Sequence, residues 1–259
     1  MKKHLQHWMV YSATLSTFAI SGVALAAEPT GFLNDTGIVT CWSNTGKDTT
    51  GVEADAGSHP RQDCRYGRDA AASSGIPKVG DGGKGFDFTK IANDGTVLEE
   101  TAALGTAAKD WACTRDNVTG LIWEIKTTSG LRSQSHSYTW YSSNATTNGG
   151  AVGTEGGGTC FLTGRCDTEK FASDVNTTGL CGASDWRMPS KSELFSITDL
   201  GRFNPAIDTS YFPNTPASIF WSGSALNMFT AWYVYFSYGN SVFYGKSDAH
   251  QVRLVRTGQ

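Results

Sequence analysis

The sequence predicts an α+β domain in which two helices pack on short, mostly antiparallel strands and disulfides hold the assembly. Three observations carry this. Residues 220–256 form runs of aromatic and β-branched side chains punctuated by Gly, Asn and Ser, the pattern of strands joined by tight turns. Asp167 and Ser190 each stand immediately before a helical apolar stripe, where N-caps belong. All six cysteines lie beyond residue 40, behind a start that reads as an export signal. Cysteines in an oxidising compartment are expected to pair.

Residues 1–26 carry that signal. Lys2 and Lys3 form a basic start, Trp8 to Leu25 is largely apolar, and Ala24-Leu25-Ala26 predicts cleavage before Ala27. Ser, Thr and Gly interrupt the apolar run, which argues against a membrane anchor, and no later stretch is apolar for long enough to span a bilayer. The reading is an exported protein: periplasmic, at the cell surface, or secreted. Losing the two signal lysines takes the formal charge from −3 to −5. So acidic a chain is a poor partner for nucleic acid or anionic membrane.

Residues 27–84 read as a polar, Gly-rich extension with one disulfide, Cys41–Cys64, and Arg65 to Asp69 as a solvated loop. Residues 85–259 read as the main domain. Phe86 to Ile91, Asn93-Asp94-Gly95 and Thr96 to Leu98 form a hairpin pattern. Asp116 to Gly120 predicts a turn ahead of a buried strand, Leu121-Ile122-Trp123, and Tyr138 to Tyr141 predicts another short strand. Residues 144–159, almost all small or polar, predict a surface loop that leads into a Cys160–Cys166 ring. Asp167 caps a helix bearing Phe171 and Val175, and Gly179 ends it.

Cys181 to Leu194 is the joint around which the chain is organised. Ser190 and Glu193 form a capping box for a second helix running to about Leu200, and Pro189 fixes its approach. Trp186 and Arg187 read as structural, Arg187 by satisfying buried carbonyls. Proximity in the chain and the expected topology pair Cys113 with Cys181. Zinc is disfavoured, because no CxxC pair occurs and no histidine stands at ligand spacing from a cysteine. After Pro205, Pro213 and Pro216 comes an antiparallel meander of four strands: 220–224, 231–238, 241–247 and 251–256. Trp221, Trp232 and Arg253 belong to its framework. Trp232, Val234 and Phe236 share one face, and Tyr233, Tyr235 and Ser237 the other.

No catalytic constellation emerges. Gly-x-Ser-x-Gly, His-Glu-x-x-His and phosphate-loop patterns are absent, and the histidines are scattered. The chain reads as non-enzymatic and without cofactor or metal. The strongest functional signal is the mixture of Tyr, Ser, Asn, Phe, Asp and His between Ser224 and His250. Tyrosine gives broad amphipathic contact at low entropic cost, and small polar residues adapt by hydrogen bonding. Asn227, Phe229, Tyr235, Ser237, Tyr238, Phe243, Tyr244, Asp248 and His250 are therefore the candidate ligand contacts, for an extracellular glycan or protein.

Three stretches resemble the signatures of a known family: Trp111 to Glu124, Leu180 to Pro189, and Val252 to Arg256. In this order they are similar to the Lcl C-terminal domain family, named after the Legionella collagen-like protein. The resemblance spans roughly residues 85 to 259. It implies a C-type-lectin-like fold of the formylglycine-generating-enzyme type, with two helices packed on a twisted, mostly antiparallel sheet. It also implies an adhesin-like surface module, a ligand such as a sulfated polysaccharide, and a homo-oligomer, specifically a trimer. The late cysteines that formylglycine-generating enzymes need are missing after Cys181, as are the calcium motifs of true C-type lectins. Some members are targets of diversity-generating retroelements. That likeness would make Ala231 to Val234, Phe236, Gly239, Lys246 and Val252 to Arg256 a fixed frame. The displayed positions would be Tyr235, Ser237, Tyr238, Phe243, Tyr244, Gly245, Asp248, Ala249 and His250. Two further readings remain: a structural envelope or surface-assembly component without a small ligand, and an enzyme related to the formylglycine-generating oxidases.

Overall fold

The computed structural model describes residues 34–48, 57, 59–68, 70 and 76–258. The export signal, its cleavage point and Asp69 lie outside these residues. The architecture is α+β: few helices on two antiparallel-rich sheets, with three disulfides. All three pairings, Cys41–Cys64, Cys113–Cys181 and Cys160–Cys166, are those expected from the sequence. Among the described residues, no helix is long and apolar enough to cross a membrane. Three disulfides in such a chain are consistent with an extracellular or periplasmic protein.

A small ribbon, β1 (Trp42–Ser43) and β2 (Gly46–Lys47), and a single helical turn, α1 (Asp63–Tyr66), are bridged by Cys41–Cys64. The turn replaces part of the loop expected there. This region is stitched to the main domain. Asn34 Nδ2 donates to Asp116 Oδ2 and Ser196 O, Leu200 N donates to Thr36 O at 2.8 Å, and Lys84 Nζ pairs with Asp199 at 2.9 Å.

The four-stranded sheet has the order β11-β5-β4-β3, from β3 (Phe88–Ala92), β4 (Trp111–Asp116), β5 (Leu121–Glu124) and β11 (Val255–Thr257). Asp116 makes the β4–β5 turn. Its Oδ1 accepts Val118 N and Thr119 N, and its Oδ2 accepts the Thr119 hydroxyl at 2.7 Å. The turn at Asn93–Gly95 forms, but its return strand is a single Ile91–Val97 bridge. The partner of β3 is β4, a largely buried strand that offers the longer ladder.

The five-stranded sheet has the order β6-β10-β7-β8-β9. It comprises β6 (Tyr138–Thr139), β7 (Ile219–Ala225), β8 (Thr230–Tyr235), β9 (Asn240–Gly245) and β10 (Ala249–Val252). The meander holds for β7, β8 and β9. The expected fourth strand is different: β10 crosses back to pair in parallel with β7, and β11 leaves for the other sheet. Lys246 explains the departure. Its buried Nζ donates to the carbonyls of Asn148 and Ala151, which draws the chain after β9 toward the 144–159 loop and away from the β9 edge.

Alternation then divides the core. Phe220 meets Phe236 at 5.2 Å in one cluster, with Leu194, Ile197, Trp123 and Val255. Its neighbour Trp221 faces the other cluster, with Tyr138, Trp140, Phe171 and Trp186.

The joint ties these layers together. α2 (Thr168–Thr178) is capped by Asp167, which accepts Lys170 N, and ends at Gly179 in the left-handed region (φ 64°), where a side chain would be strained. Asn176 grips Trp186 at both its N–H and its carbonyl, and the Trp186 indole donates to Leu180 O at 3.0 Å. Arg187 exchanges two backbone bonds with Val255, and Cys181 is bonded to Cys113 of β4. α3 (Lys191–Ser196) has the full capping box, but stops four residues short of Leu200. The amides beyond Ile197 bond elsewhere: Asp199 N to Ala206 O, and Leu200 N to Thr36 O. Arg187 keeps one carbonyl contact, with Nη1 donating to Met188 O at 3.2 Å, but it is not buried. Its side chain is exposed and grips Glu193 with both Nη atoms, at 2.8 and 2.6 Å, extending the capping box.

Candidate functional site

The candidate residues sit along the β8–β9 edge of the five-stranded sheet and on the two turns beside it. Pairing Ala231 with Tyr244 and Trp232 with Phe243 puts their side chains on opposite faces of the sheet. The single display face expected from the sequence is therefore two patches with the sheet edge between them.

On one face Tyr244 stacks on Tyr233 with centroids 5.4 Å apart and planes 22° apart. His250 adjoins Tyr244 at 5.2 Å and Trp221 at 5.0 Å. Tyr235 meets Tyr238 edge-on at 5.6 Å. Tyr238 and Tyr244 are exposed, while Tyr235 and His250 are half-buried. On the other face Phe243 packs edge-on against Trp232 at 5.7 Å, and Lys191 Nζ lies 4.2 Å from the Trp232 ring centre. Trp232 is half-buried there, less enclosed than a framework residue was expected to be. Trp123, Trp186, Trp221 and Arg253 are buried.

The β7–β8 turn adds Leu226, Met228 and Phe229, all exposed. Asn227 shapes that turn: its side-chain oxygen accepts Phe229 N, Thr230 N and the Thr230 hydroxyl. That oxygen is spent on the hairpin. Ser237 is a clear correction. It is buried, and its hydroxyl donates to the Asn204 side chain. The chain bends there toward the loop around Asn204, so strand alternation stops predicting exposure. Asp248 is exposed in the β9–β10 turn.

The three basic residues that the sequence sets beside these strands, Lys246, Arg253 and Arg256, are all withdrawn from solvent. Lys246 is buried on two carbonyls, Arg253 is buried with one donor on Thr215, and Arg256 is buried against Asp185 at 2.6 Å. Lys191 supplies the positive charge of the Trp232 patch. Among the described residues, no group of three or more His, Cys, Asp or Glu side chains is placed to hold a metal.

Sequence reading missed a cleft of ≈ 690 Å³ where the joint meets the start of α2 and the end of β7. Trp140, Trp186, Met188, Glu169 and Arg187 line it. These residues lie far apart in the chain, and no local pattern announces that they converge.

Burial holds the His250 imidazole below the ordinary histidine range, with Asp248 pulling the other way. The unfolded chain therefore takes up this proton first. The stabilisation is present above the unfolded value of about 6.5 and is lost as pH falls from there through the lowered folded value. His250→Gln should accordingly lose less melting temperature than the parent between roughly pH 7.5 and 5. Parallel profiles would show that His250 carries no linkage.

No curated protein and no solved structure matches the chain. The family model of the Lcl C-terminal domain matches residues 112–256, more than half of the sequence. That span runs from β4 through the joint and both aromatic patches to β11, and the chain belongs to the Lcl C-terminal domain family.

Proposed function

We propose that this chain is an exported, non-catalytic recognition module with a C-type-lectin-like fold that binds an extracellular glycan or protein along its β8–β9 edge. The observation that carries this reading is the exposed aromatic edge itself. Phe229, Tyr238, Phe243 and Tyr244 stay open to solvent on a scaffold rigidified by disulfides. Rigid aromatics that are already ordered lose little entropy on binding.

The charge pattern narrows the ligand. With Lys246, Arg253 and Arg256 turned inward, the edge lacks the open cationic row that a polysulfated chain needs. A neutral or weakly charged ligand fits better, and binding should change little with salt. The position of the edge in the last third of the domain also suits the frame-and-display arrangement of retroelement targets. Sequencing the 3′ end of the gene across isolates tests that arrangement.

The experiment is a glycan array and a panel of extracellular proteins probed with the chain at low and high salt. Tyr235, Tyr238 and Tyr244 replaced together by Ala should cut affinity for any hit by at least about tenfold, with the melting transition retained. Unchanged affinity in the folded triple variant removes this site. A second reading, a surface-assembly component, draws on β9. It is an edge strand carrying the exposed Val242, Phe243 and Tyr244, a surface suited to strand pairing between copies. Concentration-dependent assembly abolished by Val242→Lys, with no array hits, would favour it.

A further inference from the structure

The cleft of ≈ 690 Å³ beside the joint shares no residue with the tyrosine patch, and it has the size of a small-molecule site. Its floor is apolar. Trp140 and Trp186 are buried there, with their indole N–H groups spent on Ser222 O at 2.9 Å and Leu180 O at 3.0 Å, so the rings offer only apolar surface. Met188 and the methyl groups of Ala172 and Ala225 extend that surface.

The rim is polar, with bonding capacity left over. Glu169 Oε2 accepts the amide and the hydroxyl of Ser143, at 2.7 and 3.0 Å, which leaves Oε1 as an open acceptor. The Ser142 and Ser224 hydroxyl oxygens accept the amides of Asn144 and Lys191, so their protons remain to be donated. Tyr141 is held by its backbone: its N–H donates to the Thr168 hydroxyl at 2.9 Å, and that hydroxyl donates back to its carbonyl at 2.8 Å. Its phenol is left uncommitted. Arg187, which also lines the cleft, is neutralised by Glu193.

The walls are fixed before any ligand arrives. Gly223 N donates to Pro189 O at 2.6 Å, an approach so close that a Cβ on residue 223 would lie 2.9 Å from Met188 Cβ. Asn176 pins Trp186, and Ser143 is tied to the first turn of α2. A preformed cleft loses little entropy on binding.

We propose that this cleft is a second recognition site, separate from the β8–β9 edge, that holds one or two units of a neutral sugar. A pyranose ring divides as the cleft does: an apolar C–H face for the floor, and hydroxyls that both donate and accept for the rim. Glu169 repels carboxylate and sulfate groups. An amine would satisfy Glu169 but leave the three hydroxyl protons of the rim without an acceptor, at a cost in affinity.

The test uses the whole chain, labelled with ¹⁵N and titrated by NMR with galactose, N-acetylglucosamine and lactose. Glucosamine, glucuronate and an N-acetylated dipeptide amide are the comparison probes. The indole N–H signals of Trp140 and Trp186, assigned from Trp→Phe variants, report on the cleft floor. At least one neutral sugar should shift both signals saturably, with a dissociation constant of roughly 1–10 mM. Glu169→Gln and Tyr141→Phe should each weaken binding about threefold to tenfold. Ala172→Phe, which fills the cleft from α2, should abolish it with the fold retained. No saturable shift, an equal response to the charged sugars or the dipeptide, or shifts that persist in folded Ala172→Phe overturns the site. These signals read the cleft alone, so a blank here leaves the tyrosine edge standing, and an edge that binds nothing leaves the cleft standing.

Discussion

Replacing Cys113 and Cys181 together with Ala is expected to lower the unfolding free energy by about 4 kcal/mol, read as a shift of the urea midpoint under non-reducing conditions. Both residues are buried in the core, and the bridge closes a loop of 68 residues. That loop contains β5, β6, the long surface loop and all of α2, so breaking it frees most of the domain's middle in the unfolded chain. Alanine is the suitable replacement, since serine would bury a hydroxyl with no partner. The same substitution at Cys160 and Cys166, whose separation is 6, should cost about 2 kcal/mol. The order of the two effects is the test. If the short ring costs as much as the long one, loop closure is not what these bridges contribute, and native-state packing around the cystines must set their worth.

That joint also shows what could be read from the sequence. Ser190 with Glu193 and Asp167 with Gly179 are short-range signals, and each produced the local structure that its chemistry dictates. The disulfides followed from spacing and compartment. What escaped was long-range. Nothing in Gln251-Val252 distinguishes a strand that continues a meander from one that crosses back to lie parallel to β7. The deciding contact, Lys246 on the carbonyls of Asn148 and Ala151, spans nearly a hundred residues. The candidate site fared similarly. Alternation identified Tyr244 and Phe243 as surface residues, but grouped them on one face because it supplied no register against β8. Ser237 was misplaced because the strand ends at Tyr235 and the next residues follow the Asn204 loop.

The position that best tests how the two sheets are held together is Glu124. It is wholly buried, as is Lys126, whose Nζ meets Oε1 at 2.9 Å, while Oε2 accepts Leu254 N at 3.0 Å. Glu124 is also the electrostatic partner common to the half-buried guanidinium of Arg132 and the buried one of Arg253. Burial pulls the Lys126 ammonium down from the ordinary lysine range, and Glu124 opposes that pull. One carboxylate thus balances several cations that have left water. Glu124→Gln should cost about 3–5 kcal/mol, because it strands buried positive charge. Lys126→Met should cost less, since Arg132 and Arg253 remain to balance the carboxylate and the methionine keeps contact with the Phe171 ring. The double variant should recover part of the Glu124→Gln loss, a coupling measurable in a double-mutant cycle. If Lys126→Met proves the costlier change, the ion pair itself dominates and the shared-carboxylate account fails. The consequence extends to recognition. Glu124 N and Oε2 hold both sides of Leu254, one of the two residues between β10 and β11. Loosening that crossover in Glu124→Gln should release β10, and with it His250 from the stack of Tyr233 and Tyr244, so ligand affinity should fall although no contact residue has changed.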